Sequence, residues 1–208
     1  MMYDTLDIRR ERQLLWVTLN RPERLNALSP RMIDELGVLF DRLADDHETG
    51  VVILRGAGRA FCAGWDLKEE SQDGGLTGSV DVALRVQRRF SSVIMKMRRA
   101  PQPIVACVHG AATGGGFSVA LAADVRMAGE SARMNCAYIR VGLGGCFQSR
   151  IMDQFAQGIL DRPAIRHPER RLQETLDVAL QAYGISDRCG GKRALNIVSP
   201  NNVVGVVD

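Results

Sequence analysis

Residues 103–117 read PIVACVHGAATGGGF. In this stretch the apolar run Ile104–Val108 follows a proline, and three consecutive glycines, Gly114–Gly116, lie a short connection further on. A short apolar run bounded by chain-breaking residues is typical of a buried strand. The apolar residues after the glycines indicate a helix over residues 114–123, reached through a tight connection at 109–113. The stretch therefore predicts a buried strand that leads into the glycine-rich start of a helix.

The preceding sequence shows the same alternation of strand and helix. Ser29 and Pro30 provide an N-cap and a first-turn proline for a helix whose apolar face runs from Met32 to Leu43. A second helical pattern covers residues 79–99. Further buried strands are predicted at residues 14–19, 51–54 and 125–128. This order predicts an α/β domain with parallel strand pairing.

Composition argues against several classes of protein. The 208 residues suit one domain, the net charge is +3, and aromatic residues make up 5%. A nucleic-acid partner is therefore not expected. The five cysteines include no CxxC pair, which argues against a disulfide framework and a zinc site. No apolar run approaches the roughly 20 residues of a membrane helix, and no leader-like segment opens the chain, so we expect a soluble, cytoplasmic protein.

Two glycine-rich loops each follow a predicted strand. The first glycine loop is residues 58–69, GRAFCAGWDLKE, and the second glycine loop is residues 109–117, HGAATGGGF. Glycine at a helix start leaves backbone N–H groups uncovered, and these groups have no acceptor within the helix. Two such loops can bracket one ligand oxygen as an oxyanion hole, where one donor contributes about 3–4 kcal/mol.

Two other interpretations of the glycines stay open at this point. Consecutive glycines also allow a helix to pack closely against a strand. A phosphate cradle is the other alternative, although neither G-x-x-x-x-G-K-S/T nor G-x-G-x-x-G occurs in the sequence.

Four motifs resemble those of one known family. They are NRP at residues 20–22, NAL at 26–28, FCAGWDLKE at 61–69, and the glycine block at 103–116 with AAD at 122–124. Their order and register are those of the crotonase superfamily, the enoyl-CoA hydratase/isomerase family. The resemblance covers roughly residues 5–146.

The resemblance implies a fold and a ligand. The fold is a repeated β-β-α spiral core, and the ligand is an acyl-CoA or enoyl-CoA thioester. By position, the backbone N–H groups of Trp65 and Gly115 would form the oxyanion hole that stabilises the thioester enolate. The residues expected to line the coenzyme A site are Arg24, Leu25, Ala27, Ala63, Asp66, Leu67 and Lys68. The family further implies a homotrimer or hexamer. The scattered histidines and cysteines predict no metal site, and we expect no cofactor apart from the coenzyme A that the substrate carries.

The acid–base positions depart from the family pattern. Hydratase members carry two glutamates that handle water, and the corresponding positions here are Ser118 and Tyr138. An aspartate that many relatives carry after a Gly-Cys pair is replaced by Phe147. Hydration needs a base for the water and an acid for the α-carbon, and unactivated serine and tyrosine supply neither well. We therefore expect no efficient hydration through these positions.

Residues 147–208 match nothing in the family. The sequence thus predicts an acyl-CoA-binding core at residues 1–146 and a divergent, atypically short C-terminal region. Within that region, residues 151–160 and 170–183 have the spacing of amphipathic helices, and the end is glycine-rich and weakly patterned. A truncated or frame-altered product is one hypothesis for the abrupt loss of resemblance.

Three classes of function remain as hypotheses. The first is a hydratase/isomerase-family enzyme of fatty-acid or acyl-CoA metabolism. The second is a catalytically inactive thioester-binding or interaction protein that keeps the oxyanion hole without the glutamates. The third, a serine hydrolase with Ser118 as nucleophile, is disfavoured because GFSVA at residues 116–120 lacks the final glycine of a nucleophile elbow.

Overall fold

The structure of the chain is a computed structural model. It describes residues 3–69 and 79–137 in full, together with the backbone of residues 196–199 and 202–204. Tyr138 and the predicted helices at 151–160 and 170–183 therefore lie outside the described residues, as does the predicted domain boundary after residue 146.

The chain divides into two compact units, one of residues 1–135 with 194–208 and the other of residues 136–193. All elements named below belong to the first unit. Its strands are β1 (Leu6–Glu11), β2 (Leu14–Leu19), β3 (Val51–Gly56), β4 (Ile104–Val108), β5 (Ala111–Thr113), β6 (Val125–Ala128), β7 (Arg133–Asn135), β8 (Asn196–Ser199) and β9 (Asn202–Val204). Its helices are α1 (Pro30–Leu43), α2 (Val80–Arg99) and α3 (Gly115–Ala122), with a 3₁₀ turn at Pro22–Arg24.

The main sheet of the described residues has the strand order β1-β2-β3-β4-β6-β8-β9. Strands β2, β3, β4 and β6 pair in parallel, as the sequence predicted. Helices α1, α2 and α3 lie between successive members of this group, which confirms the α/β class. Val52, Ile53 and Leu54 of β3 are fully buried. Such strands are covered on both faces, which explains why they appear in the sequence as continuous apolar runs.

Strand β1 is an edge strand that the sequence analysis did not predict. It pairs antiparallel with β2, from Leu6 opposite Leu19 to Glu11 opposite Leu14. Its sequence LDIRRE mixes apolar and charged residues because one side of an edge strand faces water. The continuous apolar signal of the buried strands is therefore absent from β1.

The two long helices begin where the sequence predicted. The Ser29 side chain accepts a hydrogen bond from the Met32 N–H at 3.2 Å, and Pro30 is the first residue of α1. Ser79 plays the same part for α2, where its side chain accepts from the Val82 N–H. The predicted apolar face of α1 is buried, with Phe40 only 2% exposed. Both helix starts are therefore set by local sequence.

Short segments that pair in parallel form a second, smaller layer. Strand β5 pairs in parallel with β7, and isolated parallel bridges join Cys62 to Ala112 and Leu28 to Trp65. β4 also pairs in parallel with β6 in the main sheet. Successive parts of the chain therefore add one strand to the main sheet and one short segment to the second layer. This repeat is the β-β-α spiral that the resemblance implied. It also corrects the prediction of a simple connection at residues 109–113, which contains β5.

The described C-terminal backbone extends the main sheet. Strand β8 pairs antiparallel with β6, and β9 pairs antiparallel with β8. No regular element is predicted here from the sequence. The pairing partner β6 is distant in sequence, so a local pattern carries little information about it.

Candidate functional site

The first glycine loop runs along the segment that follows β2. The Ala63 N–H donates to the Leu25 carbonyl oxygen at 3.0 Å, and the Leu28 N–H donates to the Gly64 carbonyl oxygen at 2.7 Å. The Asp66 N–H then donates to the Leu28 carbonyl oxygen at 3.0 Å. These three bonds place the predicted coenzyme A residues of segments 24–27 and 63–68 next to each other.

The parallel bridge between Leu28 and Trp65 fixes the direction of the Trp65 amide. Leu28 bonds to the residues on either side of Trp65, namely Gly64 and Asp66. In a parallel pair with this pattern, the N–H of the middle residue points away from the partner strand. The Trp65 N–H therefore faces away from Leu28.

The second glycine loop presents the start of helix α3. Gly115 is the first residue of α3, and the first helical hydrogen bond runs from the Ser118 N–H to the Gly114 carbonyl oxygen at 3.1 Å. The Gly115 N–H lies before that bond and has no acceptor within the helix. Gly114 adopts φ 52° and ψ −120°, a backbone conformation that is essentially restricted to glycine.

The two glycine loops meet at Gly64. The Cys62 N–H donates to the Ala111 carbonyl oxygen at 2.9 Å, and the Thr113 N–H donates to the Cys62 carbonyl oxygen at 3.0 Å. A Cβ atom built on Gly64 would lie 2.7 Å from the Thr113 carbonyl oxygen and 3.5 Å from the Gly115 nitrogen. Because one carbonyl carbon joins Gly64 to the Trp65 nitrogen, the Trp65 and Gly115 amides occupy one small region.

Neither amide is engaged by a partner that the structure describes. Within residues 3–69 and 79–137, the N–H groups of Trp65 and Gly115 donate no hydrogen bond. Two adjacent, unengaged backbone donors on a rigid frame can bind one oxygen atom that carries negative charge. The positive end of the α3 dipole favours the same charge at this place.

An ion pair inside the fold fixes the first glycine loop, and the sequence analysis did not identify it. Arg21 Nη2 lies 3.0 Å from Asp66 Oδ2 and 2.9 Å from Glu69 Oε2, and Arg21 Nη1 donates to the Ala27 carbonyl oxygen at 2.8 Å. Burial alone would raise the pKa of Asp66. The N–H of Lys68 and the guanidinium of Arg21 outweigh it, so this pKa lies below its ordinary value. Asp66 is therefore a charged carboxylate already held by the protein.

Asn26 ties the same region to the end of β3. Its side chain accepts from the Arg21 N–H at 2.9 Å and donates to the carbonyl oxygens of Ala57 and Ala60 at 2.8 and 2.7 Å. The residue is fully buried and has a φ of 55°, a left-handed conformation that asparagine tolerates better than most residues. Asn26 of the NAL motif thus joins the NRP motif to the chain that follows β3. The resemblance singled out these two motifs, but the hydrogen bonds of Asn26 were not predicted.

The remaining predicted coenzyme A residues differ in exposure. Ala27 is 8% exposed, Arg24 and Leu25 are half-buried, and Leu67 is 54% exposed. Lys68 is exposed, and its own N–H donates to Asp66 Oδ1 at 3.1 Å. The side chains of Leu67 and Lys68 are therefore accessible. Their binding role stays a prediction.

The residue at the first hydratase glutamate position is buried. Ser118 is 2% exposed and lies within α3, not at a sharp turn between strand and helix. This position argues against the nucleophile elbow of a serine hydrolase, which presents its serine at such a turn. The match of this position to the first hydratase glutamate comes from the resemblance and stays a prediction.

Other reactive chemistry finds little support in the described part of the chain. Burial raises the pKa of the Cys62 thiol to about 12, although the Gly64 N–H partly opposes it. Cys62 therefore stays a thiol at neutral pH and is a poor nucleophile. Among the described residues, no group of His, Cys, Asp and Glu side chains is arranged to hold a metal ion. No described helix combines the length and apolar character that crossing a membrane requires.

Known proteins share extended sequence similarity with this chain. A Mycobacterium leprae protein named "Probable enoyl-CoA hydratase" is 43% identical over 130 residues, which are 61% of this chain and 44% of that protein. The 1,2-epoxyphenylacetyl-CoA isomerase of Escherichia coli is 34% identical over 134 residues, 64% of this chain and 50% of that enzyme. The chain thus spans about half the length of these curated relatives.

Solved structures and a family model give the same result. The enoyl-CoA hydratase of Mycobacterium smegmatis superposes with a TM-score of 0.66 at 34% identity, covering 72% of this chain and 57% of that one. The sequence model described as enoyl-CoA hydratase/isomerase matches residues 9–156. The chain belongs to the enoyl-CoA hydratase/isomerase family, whose members share the crotonase fold.

Proposed function

We propose that the chain binds an acyl-CoA or enoyl-CoA thioester and stabilises negative charge on its carbonyl oxygen through the N–H groups of Trp65 and Gly115. The observation that carries this proposal is the approach of the two glycine loops at Gly64, which places two unengaged amides side by side. Membership of the enoyl-CoA hydratase/isomerase family supports the choice of a thioester as ligand.

Main-chain donors suit this task because they are held before the ligand arrives. Bonds to Leu28 fix the peptide groups around Trp65, and the start of α3 fixes Gly115. A donor that is already oriented needs no reorganisation as charge develops on the oxygen, and one such donor contributes about 3–4 kcal/mol of barrier lowering. The proposed chemistry is therefore stabilisation of a thioester enolate.

The acid–base group of the reaction is not assigned to Asp66. Its carboxylate is 5% exposed and held by Arg21, while Glu69 is half exposed and also contacts Arg21. The resemblance aligns Ser118 and Tyr138 with the two glutamates of hydratases, and neither residue is a carboxylate. We therefore place the chain in the family's enolate-stabilising chemistry without assigning hydration to these residues.

The second candidate function is thioester binding without turnover, and the serine at position 118 favours it. Isothermal titration with butyryl-CoA, combined with mass spectrometry of products from crotonyl-CoA, separates the two. Binding with product formation supports the enzyme. Binding without any product supports the second candidate, and absence of binding contradicts both.

A pair of variants at Gly115 tests the donor itself. Gly115→Pro removes the N–H and Gly115→Ala keeps it, while both add a Cβ atom that would lie 2.8 Å from Leu28 Cδ1. Proline is tolerated at the first position of a helix, so α3 can still form. The readout is the carbonyl stretching frequency of bound butyryl-CoA with an isotope-labelled carbonyl, and circular dichroism checks the fold.

We expect the wild-type protein and Gly115→Ala to lower this frequency on binding, and Gly115→Pro to lose most of the effect. If the protein turns over a substrate, Gly115→Pro should slow it by about 10²–10³-fold. An unchanged frequency shift in folded Gly115→Pro would remove Gly115 from the proposal. The homotrimeric or hexameric assembly and the cytoplasmic location rest on the sequence alone and stay predictions.

A further inference from the structure

Thr113 lies at the seam between the two glycine loops and contacts the first loop in three ways. Its N–H donates to the Cys62 carbonyl oxygen at 3.0 Å. Its hydroxyl donates to the Ala63 carbonyl oxygen at 2.7 Å. Its own carbonyl oxygen packs against Gly64, where an added Cβ atom would lie only 2.7 Å away. One residue of the second loop thus touches three consecutive residues of the first.

Thr113 and its acceptor Ala63 hold equivalent positions in the chain relative to the two amides. Ala63, which accepts its hydroxyl, comes just before the Gly64–Trp65 peptide that carries one N–H. Thr113 itself comes just before Gly114 and Gly115, whose peptide carries the other N–H. The hydroxyl bond therefore connects the two peptide chains immediately ahead of both donors.

The hydroxyl bond also lies nearer in the chain to the two donors than the backbone bonds between the loops do. The three backbone bonds between the loops, from Phe61 to His109, from Cys62 to Ala111 and from Thr113 to Cys62, all lie on the side away from the donors. On the donor side, the Gly114 N–H bonds instead to the Asn135 carbonyl oxygen at 2.9 Å, in β7. The hydroxyl bond is therefore well placed to fix the separation of the Trp65 and Gly115 amides.

We propose that Thr113 is a positioning residue whose hydroxyl sets the separation of the Trp65 and Gly115 amides. This inference rests on the proposed function. Backbone donors act on a developing charge only when both lie at hydrogen-bond distance from the same oxygen. A misplacement of about 1 Å in a site of this kind can cost on the order of 10²-fold in rate. A small loosening of the seam is therefore enough to weaken the site.

Three variants separate the hydroxyl from the shape of the side chain. Thr113→Val keeps the branched shape and removes the hydroxyl, Thr113→Ser keeps the hydroxyl, and Thr113→Ala is the matched partner of the serine variant. Thr49→Val is the control, because the Thr49 hydroxyl also donates a short hydrogen bond, to Asp46 Oδ2 at 2.7 Å. Thr49 precedes β3, whereas the first glycine loop follows it. Thermal unfolding checks that each protein is folded, and the serine–alanine pair decides the result if valine does not fit.

The measurement is the carbonyl frequency of bound, isotope-labelled butyryl-CoA, together with the dissociation constant of free coenzyme A. We expect Thr113→Val and Thr113→Ala to lose at least half of the wild-type frequency shift. Thr113→Ser and Thr49→Val should keep it, and coenzyme A should bind all four variants as it binds the wild type. A merely structural role would weaken coenzyme A binding and the frequency shift together.

Two results would overturn the inference. A full frequency shift in folded Thr113→Val shows that the hydroxyl does not position the amides, and an equal loss in the serine and alanine variants shows that shape matters and the hydroxyl does not. A wild-type protein that binds butyryl-CoA without any shift overturns the proposed function itself, and the inference with it.

Discussion

The two glycine loops hold their amides in place by different means. The first glycine loop, residues 58–69, has backbone bonds to Leu25 and Leu28 and depends in addition on polar side chains: the Arg21 guanidinium, the Asn26 amide and the Asp66 carboxylate. The second glycine loop, residues 109–117, depends on backbone bonds and on close approach of main chain, because a Cβ atom on Gly116 would lie 2.2 Å from the Cys62 carbonyl oxygen.

This difference shows two physical routes to the same local result, an oriented backbone N–H group. Side-chain charges hold the first loop, so its order depends on ionisation and therefore on pH. Side-chain volume governs the second loop, since there is no space for even one methyl group at Gly116. The comparison therefore predicts that the two loops respond to different kinds of substitution.

The largest effect is expected at Gly116. Gly116→Ala forces its Cβ atom against the Cys62 carbonyl oxygen, which is backbone and cannot rotate away. We expect the free energy of unfolding to fall by about 3 kcal/mol, the upper part of the range for overpacking. Urea denaturation measures this loss.

The matched control is Gly37→Ala in α1, where the added Cβ atom would lie 3.6 Å from the nearest atom, Lys96 Nζ. Alanine is the better helix former, so this variant should gain up to about 1 kcal/mol. Equal stability of the two variants would contradict the steric account of the second loop.

Removal of the guanidinium tests the first loop. Arg21→Met leaves the Asp66 carboxylate, 5% exposed, without its main partner. Breaking a buried ion pair usually costs about 3–5 kcal/mol, and we expect about 2–3 here because the Lys68 and Glu69 amides still bind Asp66. Denaturation at neutral pH checks this, with Arg9→Met, an exposed arginine of β1, as the control that should change little. A stable Arg21→Met protein would show that the loop does not need the charge.

A smaller, pH-dependent effect is expected for Asp66→Asn. The pKa of Asp66 is lowered in the folded state, so its carboxylate stabilises the fold above its unfolded pKa of about 4 and loses that effect as the pH falls through the folded pKa. The wild type should exceed Asp66→Asn by about 1–2 kcal/mol at pH 7, from the loss of charge-assisted hydrogen bonds. The gap should shrink in acid.

Stability measured across pH tests this prediction. Asp45→Asn, which changes an exposed carboxylate, should follow the wild-type curve. A gap between wild type and Asp66→Asn that stays constant down to strong acid would mean that the Asp66 charge does not stabilise the first loop.

Much of the fold could be predicted from local sequence. Runs rich in apolar residues located β2, β4 and β6 at their observed bounds, and Ser29 with Pro30 marked the start of α1. These signals are local because a buried strand or a helix cap depends mainly on adjacent residues. The two glycine loops were recognised for the same reason, since free amides follow from glycine at a helix start.

The remaining features depend on partners far apart in sequence. Strand β5 is three residues long and exists through pairing with β7. Asp66 was predicted to bind substrate, and its pairing with Arg21 joins positions 45 residues apart, which a local pattern cannot show. The hydrogen bond of the Thr113 hydroxyl could not be predicted either, because threonine in a short strand is usually a packing residue.

The most direct test of the account is a crystal structure of the chain with butyryl-CoA bound. The account predicts that the thioester carbonyl oxygen lies about 2.7–3.2 Å from both the Trp65 and the Gly115 nitrogen atoms. A thioester oxygen that contacts only one of these nitrogens, or a ligand bound elsewhere on the protein, would contradict it.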